Sequence, residues 1–505
     1  MMPIARVVRV TVAALATATL VWGCAVGPDF HRPAPPSLVT YARPSLGDRT
    51  ASADVPGGEE QRFVSGPALP YRWWTLFESP ALDALVDRAL DASPTLVAAE
   101  AALRQAHELY FAGRGKFYPT IQANFSPSRQ KASAALSPPL SGPEVSFDLY
   151  TTQGTLAYAL DMFGGIRRQV ESLGATVEGQ RVQLEAAYLT LTSSVASAAI
   201  QEALLRAQIA ATQQIIDISS RSLALFRRQF ELGAVARLDV AAQEAALAQV
   251  QQTLPPLQKQ LEQTRNLLAA LSGRFPSEET KEKFELAALR LPQDLPVSMP
   301  STLVARRLDV RVAETQLHAA SAQVGVALAA RLPQFTIAAT AGGTSTVFTQ
   351  MFANGNPLWT IAGNIAHTIF DGGRLLHQQR AAEAAFEQAA AQYRTTVIGA
   401  FQNVADALHA LQADAETLKG AVAAEQATKT TLDITTDAQR LGAVNYLAVL
   451  SAQQAYRQAL LARVQAQAAR LSDTVALFQA LGGGWWNRPR LDAARTNARP
   501  SGHAE

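Results

Sequence analysis

The chain has 505 residues, 48% of them hydrophobic, yet its mean hydropathy is only +0.02. Alanine rather than bulky aliphatic side chains carries the apolar content, which favours helices in close contact. Formal net charge is +2, and without Arg6 and Arg9 at the extreme N-terminus the 44 basic residues become 42 against 42 acidic ones, which excludes the basic footprint of a nucleic-acid binder. The one cysteine, Cys24, excludes an internal disulfide and a cysteine-based zinc site.

Met1–Arg9 is short and positive, Val10–Val21 is apolar, and "VWGC" follows. A basic start, a short apolar run and a small residue before the break describe an export signal. The run is too short and threonine-flecked for a good membrane-spanning helix. Val21–Cys24 resembles a bacterial lipobox, which makes 1–23 a lipoprotein signal peptide and Cys24 the acylated first residue of the mature chain. An ordinary secretory signal with an incidental cysteine is the plainer alternative.

Residues 24–70 are rich in Pro, Gly and Ser and read as an extended, loosely held arm. From Tyr71, Leu82, Leu85, Val86 and Leu90 recur at helical spacing. Ser93–Pro94 caps a second helix, expected to reach about Lys116. Then Ile121, Ala123 and Phe125 alternate with Thr120, Gln122 and Asn124, the pattern of a half-buried strand. A Pro/Ser-rich loop around Ser133–Pro143 leads to a second alternating run, Val145–Leu160, so the two strands form a hairpin closed by "FGG" at Phe163–Gly165. From Ile166 no breaker appears until Gly233, room for a helix of about 100 Å at 1.5 Å per residue. A second helix spans Arg237–Leu271, with a kink or break at Pro255–Pro256. Gly273–Pro300 reads as an irregular linker with a short amphipathic piece, Glu278–Leu289.

The same succession then recurs at an offset of about 210 residues. "ARRLDVRVAETQLHAASAQVGVALAARLPQFTIAA" matches Ser93–Ala123; a second alternating pair follows, with Trp359, Ile361, Ile365 and Ile369 on one face. "FDGG" parallels "FGG". A long 4-3 apolar stripe from Phe386 to Leu411 leads to a turn at Gly442 and a last helix ending at "FQALGGG". The chain therefore divides into a first repeat over 71–290, a second over 291–484, and a tail over 485–505 with a disordered composition. The turn sequences agree as well: "FELGAVARLDV" at Phe230–Val240 and "QRLGAVNYLAV" at Gln439–Val449.

Four strands cannot close a barrel, for which about eight is the practical minimum. Open edges invite strands from other chains; two copies give an interior filled by side chains, three give twelve strands and a lumen. Long alanine-rich helices packed side by side can wall a hollow cylinder, with both Leu-Gly-Ala-Val turns at one end and the strands at the other. The expected fold is mainly α with a small β part: a long α-helical barrel plus a transmembrane β-barrel of four strands per chain, twelve in a trimer, with a two-fold internal repeat.

"CAVGPDFHRP", "WWTLFESPALDALVDRAL", "RRLDVRVAE", "FDGG", the two Leu-Gly turns and "LFQALGGGW" together resemble the TolC-like outer membrane efflux family, and within it the NodT-type lipoprotein exit ducts of resistance-nodulation-division pumps. The resemblance covers about Cys24 to Gly484. It implies a homotrimer lipid-anchored in the bacterial outer membrane and extending into the periplasm. It also implies a periplasmic adaptor touching the hairpin tips and an inner-membrane pump supplying energy, with small molecules such as drugs conducted passively. The tip residues carried over are Leu232, Gly233, Ala234 and Val235, and Leu441, Gly442, Ala443 and Val444. Relatives carry proline after the paired arginines where this chain has Leu308, a difference expected to matter little because Pro300 or Ser301 can start the helix. Similar ducts often carry an aspartate after the second tip glycine where this chain has Val444; Asp433 and Asp437, with Arg440 in reach of either, are the nearest aperture charges. A solvated helix face is the plainer account of these.

No zinc-protease helix, P-loop, dinucleotide fingerprint or nucleophile elbow is present, and His367 and His377 fall on different elements. Catalysis, metal binding and cofactors are therefore not expected. Two other readings stay open: a periplasm-spanning structural coiled-coil lipoprotein without conduction, and the exit duct of a type I protein secretion or metal efflux system.

Overall fold

A computed structural model of the chain describes residues 25–38, 40–41, 47–65, 69–131, 146–278, 282–297, 300–353 and 355–488. The expected signal peptide, Cys24, the whole loop around Ser133–Pro143 and the expected tail beyond 488 lie outside the described residues.

A short strand β1 (Arg62–Ser65) and a 3-10 turn (Trp73–Phe77) precede helix α1 (Pro80–Ala92). Ser79 starts α1: its hydroxyl accepts from the Leu82 N–H, and Pro80 takes the first helical position, where its missing N–H costs nothing. Helix α2 (Pro94–Gly115) leads to strands β2 (Thr120–Lys131) and β3 (Ser146–Leu160). Helix α3 (Gly165–Glu231) runs 67 residues without interruption. Helices α4 (Arg237–Gln251) and α5 (Leu254–Leu271) follow; the break falls just before Pro255–Pro256, so both prolines sit in the first turn of α5 and clash with no preceding carbonyl. Strand β4 (Asp294–Val297) and helices α6 (Pro300–Arg306) and α7 (Leu308–Ala330) lead to strands β5 (Gln334–Ser345) and β6 (Pro357–Ala366). Helix α8 (Arg374–Arg440) is again 67 residues, and α9 (Tyr446–Ala480) closes the succession.

The chain forms two compact units. The sheet unit takes the segment ending at Pro33, Ala102–Arg181 and Val312–Arg394; the helical unit takes Ala34–Ala101, Val182–Arg311 and the segment from Thr395 on.

In the sheet unit the four strands are all antiparallel, in the order β2-β3-β5-β6. Directly paired residues share a face. The rows Ile121–Leu156–Ala339–Ile361 and Ala123–Gly154–Ala341–Trp359 lie on one face, and Gln122–Thr155–Thr340–Thr360 on the other. The apolar face is not half-buried as the alternation suggested: Ile121, Phe125, Ile337, Trp359, Ile361 and Ile365 are all exposed. β6 ends at Ala366, leaving Ile369 and Phe370 exposed beyond it. An aspartate starts each long helix: Asp161 accepts from the Ile166 and Arg167 N–H groups, and Asp371 from those of Gly373 and Leu375, each at 2.9 Å. The first part of the arm is fastened here. The Arg168 guanidinium donates to the Val26 and Gly27 carbonyls and to Asp29 at 2.6 Å, Phe30 stacks on His318 at 4.3 Å, and Arg32 pairs with Glu314.

In the helical unit the core is aromatic at one level, where Trp73, Trp74, Phe77 and Phe478 are buried edge to face. Trp73 and Trp74 are thus core residues. The arm is extended here but not loosely held, contrary to the sequence expectation. β1 pairs in parallel with β4 from Arg62↔Asp294 to Ser65↔Val297, so two stretches read as arm and linker meet as a small sheet. Fully buried Arg470 of α9 donates to the Gly57 and Glu59 carbonyls, the Thr50 hydroxyl and the Gln61 amide oxygen, and Gln61 donates to Thr474. These acceptors are neutral, so desolvation holds the Arg470 pKa below its ordinary value. The short amphipathic piece expected at Glu278–Leu289 contributes a single 3-10 turn at Leu286–Ala288 among the described residues. A break at Arg307 separates α6 from α7, where its guanidinium caps α9 through the Ala480 carbonyl and grips Asp309; the helix therefore restarts at Leu308 rather than running on from Pro300. The start of the expected tail is ordered too: Trp485 donates to the Arg306 carbonyl and Asn487 to that of Leu69.

Arg470→Ala strands several buried acceptors and should cost about 3 kcal/mol or more, read as a lower melting temperature in detergent and faster proteolysis within 47–65. Asp473 on α9 is hydrogen-bonded to Asp414 on α8, and burial together with that neighbour pushes Asp473 up to about 6 from 3.8. The folded chain holds this proton more tightly than the unfolded one, so stability should fall as pH rises from 3.8 to about 6. Asp473→Asn should flatten that slope in melts run across the same range.

Candidate functional site

The two helical turns belong to the helical unit and are built alike. At the first, Gly233 has φ +75°, its N–H donates to the Phe230 carbonyl, and the Ala234 N–H reaches back to Gln229. At the second, Gly442 has φ +74°, its N–H donates to Gln439, and the Ala443 N–H reaches back to Ala438. This pair of bonds is the Schellman ending, which satisfies the last helical carbonyls and requires a left-handed residue. A Cβ at either glycine would meet nothing within 4 Å. The demand on both positions is therefore backbone conformation, not space.

The return helices start on different caps. Asp239 accepts from the Ala236 N–H at 3.1 Å to open α4, whereas Asn445 accepts from the Ala448 N–H at 3.2 Å to open α9. Leu223 and Phe226 of α3, Val240 of α4, and Tyr446 and Val449 of α9 form one buried cluster that ties the two tips together. The Phe226 and Tyr446 rings are 4.0 Å apart. The Tyr446 hydroxyl is buried with no hydrogen-bond partner among the described residues, and burial raises its pKa. Gln243 donates to the Ser219 carbonyl at 2.6 Å, and Gln453 to the Ser222 hydroxyl, pinning each returning helix to α3.

The tips are apolar and open. Leu232 and Leu441 are 77% and 85% exposed, and so are Leu238 and Leu447 at 77% and 60%. Leu232–Ala234 and Leu441–Val444 are exposed, and Val235 packs partly against the buried cluster. The sequence reading missed Leu238 and Leu447, although both stand six residues after their tip leucine in the repeated stretch; a leucine in the first turn of a helix looks like core until the burial is known. Asp437 pairs with Arg440 at 3.0 Å through i,i+3 contact, both side chains exposed, and Asp433 is exposed one turn earlier. Val444 leaves the second tip without a carboxylate after its glycine. Among the described residues no cluster of histidine, cysteine and acidic side chains is arranged to hold a metal, and no helix is long and apolar enough to cross a membrane.

The sequence pattern of the outer membrane efflux protein family matches residues 85–274 and 299–483. The chain belongs to that family. It is 32% identical to the pyoverdine export outer membrane protein OpmQ of Pseudomonas putida over 433 residues, covering 85% of this chain and 92% of that protein. It is 28% identical over 472 residues to the toluene efflux pump outer membrane protein TtgC of Pseudomonas putida, covering 94% and 95%. The solved outer-membrane channel OprN superposes with a TM-score of 0.81 at 27% identity, over 92% of this chain and all of that one.

Tyr446→Phe removes an unpaired buried hydroxyl and should leave stability unchanged or raise it by up to about 1 kcal/mol, whereas Phe226→Ala opens a cavity at the same contact and should cost about 3 kcal/mol or more. Thermal melts of the two variants in the same detergent check both.

Proposed function

We propose that this protein is the outer membrane exit duct of a tripartite efflux system, conducting small molecules passively from an inner-membrane pump and a periplasmic adaptor to the cell exterior. The observation that carries the reading is the sheet. Its exposed apolar face suits bilayer hydrocarbon, its other face is polar, and its outer strands β2 and β6 have edges that no strand of this chain pairs among the described residues. Three copies closing a twelve-stranded barrel satisfy those edges and leave a lumen. Membership in the family, and likeness to proteins named for pyoverdine and toluene export, support small organic cargo. The two 67-residue helices, one per half, support a duplicated unit whose long elements wall the duct.

In this reading Cys24 carries the lipid anchor and the tip residues Leu232–Val235 and Leu441–Val444 meet the adaptor. Leu238 and Leu447 widen that surface. Asp433, Asp437 and Arg440 serve as aperture charges.

The purified protein should run as a trimer by mass measurement in mild detergent and give discrete single-channel openings in planar bilayers; folded monomers without conductance would overturn the reading. Cys24→Ser should abolish palmitate incorporation. Gly233→Trp and Gly442→Trp should keep the trimer but lose adaptor crosslinking and efflux; unchanged crosslinking would remove the docking role from the tips.

A further inference from the structure

The β5–β6 loop, described over 346–353 and 355–356, does not extend freely from the sheet. It folds back onto the apolar face. Phe348 packs edge-on against Phe125 of β2 and Tyr150 of β3, at 6.0 and 5.8 Å, so the loop reaches across β3 to the edge strand. The Thr152 hydroxyl points at the Met351 sulfur at 3.5 Å, and Met351 is buried. Phe125, Tyr150, Thr152 and Gly343 all belong to the face that carries Ile121, Trp359 and Ile361. Gly343 is what allows the approach: a Cβ there would stand 2.1 Å from the Met351 carbonyl oxygen.

What the loop then presents outward is apolar. Val347, Phe348 and Phe352 are exposed while Met351 faces the sheet. No Asp, Glu, Lys or Arg occurs from Leu332 to Phe370, whereas the β2–β3 pair carries Arg129, Lys131 and Asp148 near its own turn. The loop also satisfies much of its own backbone. The Gln350 N–H donates to Val347, that of Ala353 to Gln350, that of Asn356 to Ala353 and that of Thr344 to Asn356; the Asn356 amide adds a bond to the Gln350 carbonyl at 2.6 Å. Internal pairing lowers the cost of taking these backbone groups out of water, the loop backbone lies against the protein face rather than free in lipid, and aromatic side chains beside an apolar belt are stable at a bilayer interface. A loop destined for water or a polar lumen has no reason to lie on the apolar face with its phenylalanines outward.

We propose that residues 346–353 form a lipid-seated flap: Val347, Phe348 and Phe352 rest in the hydrocarbon of the bilayer leaflet surrounding this rim of the sheet, on top of the apolar face. This rests on the reading of the sheet as membrane-spanning, and the test separates the two. An environment-sensitive fluorophore is attached to full-length protein through Phe352→Cys, with Ile361→Cys as the reference for the apolar face and Thr360→Cys for the polar one. The unsubstituted chain reports any labelling of Cys24. Each is reconstituted into phosphatidylcholine vesicles and quenched by spin-labelled lipid or by aqueous iodide. The flap predicts that the label at 352 follows that at 361, with lipid quenching at least twofold stronger than iodide quenching, and that adding Gly343→Val shifts the label at 352 toward iodide. Iodide quenching at 352 with lipid quenching at 361 overturns the flap and leaves the sheet reading intact. A label at 352 that neither agent reaches means that a second copy covers the loop, and also overturns it. Loss of lipid quenching at 361 itself overturns the membrane-spanning sheet and the flap with it.

Discussion

A β-strand at the edge of a sheet leaves a row of N–H and C=O groups without partners, and those groups must be met by water or by another strand. Here the constraint falls on a four-stranded sheet whose exposed face is apolar, so water is a poor remedy for the face and a closed ring of strands is the remedy for the edges. Four strands are too few to curl onto themselves. The proposed trimer descends from this one incompleteness.

The helices answer a different demand. Their stripes are built of alanine, and their hydrophobic content per turn is modest, so each long helix depends on broad contact with neighbours rather than on deep burial of large side chains. The tips close this arrangement with a backbone device and a small aromatic cluster. Gly233 and Gly442 end the helices for conformational reasons alone, and Phe226 against Tyr446 holds the two turns to each other. The exposed leucines beside them lie outside that cluster and suit a surface that meets another protein.

Elsewhere polar clamps do the holding. Arg470 secures the arm through neutral acceptors, and Arg168 secures the first described residues through carbonyls and Asp29. Buried guanidinium groups with multiple bonds fix one arrangement of an otherwise irregular segment. In an arm without periodic apolar residues these clamps act beside the β1–β4 pairing and the stacking of Phe30 on His318.

Much of this protein was legible in the chain of residues because it depends on local periodicity. Alternation at Ile121–Phe125 and Trp359–Ile365, the absence of breakers from Ile166 to Gly233, and the twin Leu-Gly-Ala-Val turns report short-range rules: a period of two, a period near 3.6, and a glycine where φ must be positive. The family pattern followed from those residues in order. Tertiary contact alone decided the rest. The pairing of Arg62–Ser65 with Asp294–Val297, the clamp of Arg470, the break at Arg307, and the return of Phe348 onto Phe125 join residues distant in sequence, and none leaves a periodic mark. Solvent exposure was decided there too: Leu238 and Leu447 stand in the open, because a hydrophobic residue declares its preference for burial but not whether a neighbour arrives to bury it.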